Sequence, residues 1–274
     1  MTCCNAINAD TGRFFSHFAG LHRLRHRWLG FERTQCQLID GLRLAGIRGA
    51  ELLEIGCGPG YLHRALLREG ATRAVGVDLS ARMIDIARGE AASESLASRT
   101  SYHHGDFTLI ADQLPDVDVT ILDKVIRCYP DWERLVARSL AKTRRVYAFT
   151  IPRDRALTRI AIAAMSWGLC QSGCCYRPFI HDPEKIAECL IAGGFHRIHE
   201  ACTATWMTRV YVRDKQDSGS PGLRPSPVGF RRMSAFRGLL RRGANHLLAS
   251  RKGRHVDGRY SSHQLAGPPK DATT

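Results

Sequence analysis

The chain has 274 residues, 44% of them apolar, and its 40 Lys or Arg outnumber 26 Asp or Glu to give a net charge of +14. This length suits one α/β domain with appendages, because single cores stop growing near roughly 250 to 300 residues. No run approaches the roughly 18 apolar residues of a membrane span, and MTCCNAINAD lacks the features of a secretory signal, so we expect a cytoplasmic protein.

Residues 1–44 are predicted to form a helical arm ahead of the main domain. The segment GRFFSHFAGLHRLRHRWLGFERTQ combines a dense basic face with apolar side chains at helical spacing, namely Phe14, Phe15, Phe18 and Leu21. It leads into a first core helix, TQCQLIDGLRLAGI. Such an arm either closes over a site as a lid or packs on the domain without a function of its own.

Strand and helix patterns alternate over residues 45–213. The predicted strands are AELLEIG, RAVGVDLS, TSYHHGDF, DVDVTILDKV and RRVYAFTIP, with helices YLHRALLREG, ARMIDIARGEAASES and DWERLVARSLAKT between them. A further helix, HDPEKIAECLIAGGF, precedes two β-rich runs, HRIHEACTA and TWMTRVYVRD. The pattern predicts an α/β fold with a doubly wound, Rossmann-like, mostly parallel sheet of seven strands whose last strand is inserted antiparallel.

A glycine-rich loop follows the first predicted strand. Gly56, Gly58 and Gly60 lie between strand and helix, where glycine lets a backbone approach a ligand closely. The spacing differs from the dinucleotide fingerprint, because only Pro59 separates the last two glycines. Glu54, at the strand end, disfavours a pyrophosphate and favours a ligand with positive charge.

Two further acidic side chains are expected at the same edge of the sheet. Asp78 closes the second strand about 20 residues after the loop, where a carboxylate accepts hydrogen bonds from ribose hydroxyls. Asp106 follows the third strand and can accept from an exocyclic amine, while Phe107 offers an apolar face to a purine.

The combination of EIGCGPG, VGVDLS and GDF resembles the class I S-adenosylmethionine-dependent methyltransferases, over about residues 45–213. The resemblance implies S-adenosylmethionine as cofactor, with the glycine loop and Cys57 along its methionine portion. It also implies that Asp78 binds the ribose hydroxyls, that Leu79 packs on the adenine, and that Asp106 and Phe107 flank it.

The exit of the fourth strand is expected to carry the chemistry of the methyl acceptor. LDKVIRCYPD and AFTIPRD resemble a bacterial subgroup distantly similar to the magnesium-protoporphyrin O-methyltransferases, which leaves a porphyrin-like or other flat hydrophobic carboxylate open as the acceptor. The substrate-binding candidates are Asp123, Lys124, Arg127 and Tyr129. Residues 154–181 are predicted to cover this pocket, because the segment is long and apolar.

Methyl transfer from a sulfonium is an in-line displacement, so alignment in a dry site supplies most of the catalysis. A carboxylate acceptor needs no base, and Lys124 or Arg127 could orient it. A phenol, amine or thiol acceptor gains from a base, for which Tyr129, His104 and His181 are the candidates by topology. The methylated centre, O, N or C, stays open.

More than half of the net positive charge lies in the C-terminal segment 214–274. It holds twelve Lys or Arg against four Asp, or +8 of the total charge. The opening DKQDSGSPGLRPSPVG predicts a disordered linker, and an amphipathic helix is predicted at 230–249, with Phe230, Met233, Phe236, Leu239 and Leu240 at helical spacing. This tail leaves open a contact with a membrane surface or a protein.

Other function classes compete with a small-molecule methyltransferase. Cys170, Cys174 and Cys175 lack zinc-site spacing, so we expect free thiols and no metal. The basic ends suggest a nucleic-acid-binding protein or a methyltransferase that acts on nucleic acid, but zinc-finger, helix-turn-helix and RNA-binding motifs are absent from the sequence. A noncatalytic cofactor-binding domain also stays open, because binding motifs do not report turnover. The oligomeric state is not indicated.

Overall fold

The computed structural model describes residues 3–171 and 176–213, with side chains described from residue 10 onward. The predicted basic tail, its helix at 230–249, and Cys174 and Cys175 lie outside the described residues. Within the described ranges, no helix is both long enough and apolar enough to cross a membrane.

Seven strands form one sheet. They are β1 Glu51–Ile55, β2 Arg73–Asp78, β3 Thr100–His104, β4 Val117–Asp123, β5 Thr143–Pro152, β6 Phe195–Cys202 and β7 Trp206–Arg213. The order across the sheet is β3-β2-β1-β4-β5-β7-β6. The first five strands are parallel, and β7 lies antiparallel between β5 and β6. The predicted doubly wound sheet with an inserted antiparallel last strand is confirmed.

Eight α-helices surround or flank this sheet in the described part of the chain. They are α1 Cys3–Leu29, α2 Arg33–Ala45, α3 Tyr61–Arg68, α4 Ala81–Ser93, α5 Phe107–Ile110, α6 Trp132–Ala141, α7 Ala156–Gln171 and α8 Pro183–Ala192. Several begin at a side-chain cap: Ser80 accepts from the amide of Met83 at α4, and Asp182 accepts from the amide of Glu184 at α8.

The core lies on both faces of the sheet, because successive side chains of a strand point to opposite sides. In β1, Leu52 packs in the layer with α2 and α3, whereas Leu53 and Ile55 pack in the opposite layer with α6 and α8. All three side chains are buried. Because both faces of the sheet are packed, the strand ends have fixed positions, and these positions fix where the following loops begin.

Helix α1 crosses the carboxyl end of β2. A Cβ atom placed on Gly12 would lie 2.4 Å from the carbonyl oxygen of Leu79, so the helix backbone approaches the chain after β2 closely. The hydroxyl of Ser16 is 2.7 Å from that of Ser80. Phe14 stacks on the buried ring of Tyr176, with centroids 4.6 Å apart. The predicted arm therefore packs over the edge of the sheet that is formed by the carboxyl ends of the parallel strands.

Helix α7 follows β5 and leaves most of its side chains exposed, including Leu157, Ile160 and Trp167. It occupies the first part of the segment predicted to cover the acceptor pocket. Tyr176, on the other side of residues 172–175, is fully buried against α1. Among the described residues of this insertion, Tyr176 is therefore the fully buried aromatic side chain, whereas Thr158 is the buried residue of α7 and Leu169 is partly buried against the core.

A matched pair of glycine substitutions tests the packing of α2 on β7. Replacing a mid-helix glycine with alanine normally stabilises a helix by about 0.5–1 kcal/mol. At Gly41 the new Cβ would lie 2.6 Å from Cγ2 of Val210, a fully buried side chain. Gly41→Ala is therefore expected to lower the free energy of unfolding by about 1–3 kcal/mol in urea titrations.

The control is Gly89→Ala in α4, where nothing lies within 4 Å of the added atom. This change is expected to raise the free energy of unfolding by about 0.5–1 kcal/mol. Equal stabilisation by both substitutions would contradict the close contact between α2 and β7.

Candidate functional site

The glycine loop between β1 and α3 is anchored to β2 by its backbone. The amides of Gly56 and Cys57 both donate to the carbonyl of Val77, at 2.7 and 3.0 Å. Gly56, Gly58 and Gly60 have φ values of +67°, +50° and +74°, which side chains rarely tolerate. A Cβ on Gly56 would also lie 2.3 Å from Cγ2 of Val125, whereas one on Gly58 would meet only open space. The loop therefore presents bare backbone at Gly58.

Asp78, the last residue of β2, holds this loop from the side. One carboxylate oxygen accepts from the amide of Gly58 at 2.8 Å, and the other accepts from the amide of Ser80 at 2.8 Å. Burial raises the pKa of Asp78 to about 6, although these two amides partly offset that effect. The carboxylate is thus positioned by backbone donors and still lines a cavity.

Glu54 is buried and engaged by the first turn of α3. Its Oε2 accepts from the backbone amide of His63 at 3.2 Å and lies 2.5 Å from Nδ1 of the same residue. The other ring nitrogen of His63 is 2.9 Å from the hydroxyl of Tyr102 in β3. His63 and Tyr102 did not emerge from the sequence as site residues, and they fix the orientation of Glu54 beneath the glycine loop.

Asp106 ends the loop after β3 and caps α5. Its Oδ1 accepts from the amide and hydroxyl of Thr108, at 2.8 and 2.9 Å, and from the hydroxyl of Tyr129 at 3.2 Å. Phe107 is fully buried. Burial, and then the charge of Asp106, raise the pKa of Tyr129 well above its ordinary value. Tyr129 thus donates a hydrogen bond to Asp106, which ill suits it to act as a base.

A cavity of about 380 Å³ joins these groups, within the range of small-molecule sites. The predicted cofactor residues that line it are Glu54, Gly56, Cys57, Gly58, Asp78, Leu79 and Phe107. The predicted acceptor residues that line it are Asp123, Lys124, Arg127 and Tyr129. Gly60 and Asp106 are next to lining residues without lining it themselves, and α1 contributes part of the wall.

Asp123, the last residue of β4, lines the cavity and directly precedes Lys124. Its Oδ2 accepts from the side-chain amide of Gln35 at 3.1 Å, whereas its buried Oδ1 has no partner among the described residues. Burial raises the pKa of this carboxyl, and Lys124 and Gln35 partly offset the effect. An orphaned carboxylate oxygen beside the bare loop fits a ligand that carries an ammonium or hydroxyl donor.

Lys124 has a left-handed backbone conformation, with φ +60°, which is uncommon for a side chain of this size. Its amide donates to the carbonyl of Thr150 at 3.1 Å, which holds the turn. Its Nζ pairs with Glu32, which also binds Arg25 at 2.9 Å. Burial opposes ionisation of Glu32, but Lys124 and Arg25 outweigh it and lower the pKa of that carboxyl.

The histidines predicted as bases lie outside the cavity lining. A ring nitrogen of His104 is 3.1 Å from the carbonyl of Leu79, and one of His181 is 3.0 Å from that of Tyr129. His22 and His26 of α1 line the cavity instead. Burial lowers the pKa of both. Their spacing of four residues, which puts two side chains on one helix face, is the sequence signal that could have found them.

Comparisons with known proteins agree with this geometry. Residues 52–146 match the family model of a methyltransferase domain. A ubiquinone biosynthesis O-methyltransferase of Coxiella burnetii (strain Dugway 5J108-111) is 27% identical over 154 residues, or 54% of this chain and 64% of that protein. A ribosomal protein L11 methyltransferase of Aeromonas hydrophila is 34% identical over 86 residues, or 31% of this chain and 27% of that protein. The chain thus spans less than two thirds of these relatives.

A solved structure shares the fold. Magnesium protoporphyrin IX methyltransferase from Synechocystis PCC 6803, in complex with S-adenosylmethionine, superposes with a TM-score of 0.52 at 17% sequence identity. The match covers 75% of this chain and 97% of that one. At this identity the likeness concerns the fold alone.

Asp78 gives a pH-dependent prediction for cofactor binding. Because its pKa is raised to about 6, the carboxylate that we expect to accept ribose hydroxyls is protonated as the pH falls below that value. Calorimetric affinity for S-adenosylhomocysteine is expected to be constant near neutral pH and to weaken roughly tenfold one pH unit below the pKa. Asp78→Asn is expected to weaken binding by about 10- to 100-fold and to abolish this pH dependence.

The control is Asp85→Asn, which changes an exposed carboxylate on α4 outside the cavity lining. It is expected to leave both the affinity and its pH dependence as in the wild type. An unchanged affinity in Asp78→Asn would contradict the role assigned to Asp78.

Three observations indicate the same cofactor, S-adenosylmethionine. They are the domain match, the shared fold, and the bare glycine loop held by Asp78. Residues 52–146 match a methyltransferase domain, and the described residues adopt the fold of the class I S-adenosylmethionine-dependent methyltransferases.

Proposed function

We propose that this protein transfers a methyl group from S-adenosylmethionine to an oxygen of a small-molecule acceptor. The observation that carries the proposal is a single cavity with two sets of lining residues. One set is the glycine loop with Asp78, and the other consists of polar side chains from α1 and from the end of β4 and the segment after it. The ubiquinone biosynthesis O-methyltransferases among its relatives support an oxygen centre.

When bound, S-adenosylmethionine would supply a methyl group on a sulfonium, which the acceptor attacks in line so that S-adenosylhomocysteine leaves. The protein then has to align the acceptor and keep water out. Asp78 and the backbone at Gly58 would hold the cofactor on the β1–β2 side, while Lys124 and Arg127 line the β4 side. Thr11 and Phe15 of α1 contribute to the wall and would restrict solvent entry.

His22 is the base that the geometry favours if the acceptor is a phenol. It lines the cavity, and burial lowers its pKa, so the imidazole is neutral near pH 7 and can accept a proton. As the new O–CH₃ bond forms and the CH₃–S bond breaks, the hydroxyl proton would pass to His22. Tyr129 is less suited, because its hydroxyl already donates to Asp106.

The proposed transfer is tested with labelled S-adenosylmethionine and a panel of phenols, catechols and aromatic acids. Label is expected in at least one small molecule and not in oligonucleotides. Label only in nucleic acid would support the competing nucleic-acid function that the basic ends suggest. Binding of S-adenosylhomocysteine without transfer to any acceptor would favour a noncatalytic cofactor-binding domain.

His22→Gln is expected to lower kcat for a phenolic acceptor by about 100-fold or more, because proton removal loses its base. In the wild type, kcat is expected to fall with decreasing pH at a midpoint below 6.5, as His22 becomes protonated. That acidic limb should disappear in the variant, whereas a merely structural role would leave it in place.

The matched control is His17→Gln on the same helix. His17 is exposed, bonds the carbonyl of Arg13 at 3.0 Å, and does not line the cavity. Its replacement is expected to leave kcat and the pH profile unchanged. An acidic limb that persists in His22→Gln would contradict the assignment of the base.

A further inference from the structure

Arg127 differs from the other cations of the cavity in having no carboxylate partner among the residues that the structure describes. Arg25 and Lys124 both pair with Glu32. The Nε of Arg127 donates only to the carbonyl of Lys124, at 3.3 Å, and no ion pair of its guanidinium occurs within residues 10–171 and 176–213. Burying a guanidinium without a counterion costs free energy, and an anion bound beside Arg127 would offset that cost.

Trp206 fixes the position of this guanidinium. The carbon of the Arg127 guanidinium lies 5.3 Å from the centroid of the indole ring, and Nζ of Lys124 lies 5.2 Å from the same centroid. Such cation–π contacts hold a cation without neutralising it. The backbone also restrains the segment, because the carbonyl of Arg127 accepts from the amide of Phe179 at 2.7 Å.

The position of Arg127 just after β4, and of Trp206 at the start of β7, assigns both residues to the acceptor. The glycine loop and Asp78 follow β1 and β2, on one side of β4. Trp206 begins β7, opposite Pro152 at the end of β5, on the other side of β4. Arg127 therefore faces the half of the cavity away from the residues that fit the ribose, and the carboxylate of the cofactor is the less suitable counterion.

We propose that Arg127, positioned by Trp206, binds a carboxylate of the methyl acceptor, which makes the acceptor an aromatic acid with a hydroxyl to be methylated. The planar guanidinium matches a carboxylate with two parallel hydrogen bonds. Lys124 adds positive charge beside it, although Glu32 partly satisfies that side chain. This inference rests on the proposed function and specifies its substrate class.

The test uses the full chain loaded with S-adenosylhomocysteine and matched pairs of acids and amides on benzene, catechol and indole rings, such as 3,4-dihydroxybenzoate and 3,4-dihydroxybenzamide. Calorimetry is expected to give at least one acid an affinity about tenfold or more above that of its amide. Arg127→Gln is expected to abolish this preference, and Arg127→Lys to restore part of it. Affinity for S-adenosylhomocysteine is expected to stay at the wild-type value in both.

The control variant is Arg73→Gln at the exposed start of β2, outside the cavity lining, which should leave the acid preference intact. Wild-type protein that binds S-adenosylhomocysteine but prefers no acid over its amide would overturn the inference and leave the proposed function standing. A preference that survives Arg127→Gln, or a loss of S-adenosylhomocysteine affinity in that variant, would also overturn the inference alone. Failure of the wild type to bind S-adenosylhomocysteine would overturn both proposals together.

Discussion

The hydrogen bond from the Gly58 amide to Asp78 is the contact on which the site depends. It joins the loop after β1 to the end of β2, two strands that are adjacent and parallel in the sheet. The left-handed glycines allow the chain to turn sharply enough to make it, and the second Asp78 oxygen is held by Ser80. The Asp78 carboxylate therefore holds both the glycine loop and the residue that caps α4, and it also lines the cavity.

The two halves of the cavity are built by different means. On the side of β1 and β2, strand ends and backbone amides dominate, and the contacts from Glu54 to His63 and from His63 to Tyr102 brace the loop from below. On the side of β4, charged side chains converge from α1, from the N-cap of α2 and from the segment after β4, with Glu32 linking Arg25 to Lys124. A binding surface assembled from several elements can change its ligand without disturbing the sheet.

Much of this organisation followed from the sequence, because parallel strands bring their carboxyl ends to one edge. The doubly wound parallel sheet, the antiparallel β7, and the position of Asp78 at the same edge as the glycine loop are consequences of alternation and of residue type at strand ends. The roles of Asp106 and Tyr129 were harder to read, since their mutual hydrogen bond depends on the packing of α5 against the segment after β4. Likewise, chain order placed His104 and His181 near the carboxyl edge of the sheet. It could not show that their rings contact backbone carbonyls and do not line the cavity.

The contribution of α1 was the least accessible from sequence, because an amphipathic pattern does not say which surface a helix covers. The contact of Gly12 with Leu79 and the stacking of Phe14 on Tyr176 determine it. A crystal structure of the protein with S-adenosylhomocysteine would show whether Asp78 and the glycine loop hold the cofactor. We expect ribose hydroxyls within hydrogen-bond distance of the Asp78 carboxylate and an adenine beside Phe107. A ligand bound elsewhere, or a ribose directed away from Asp78, would contradict this assignment.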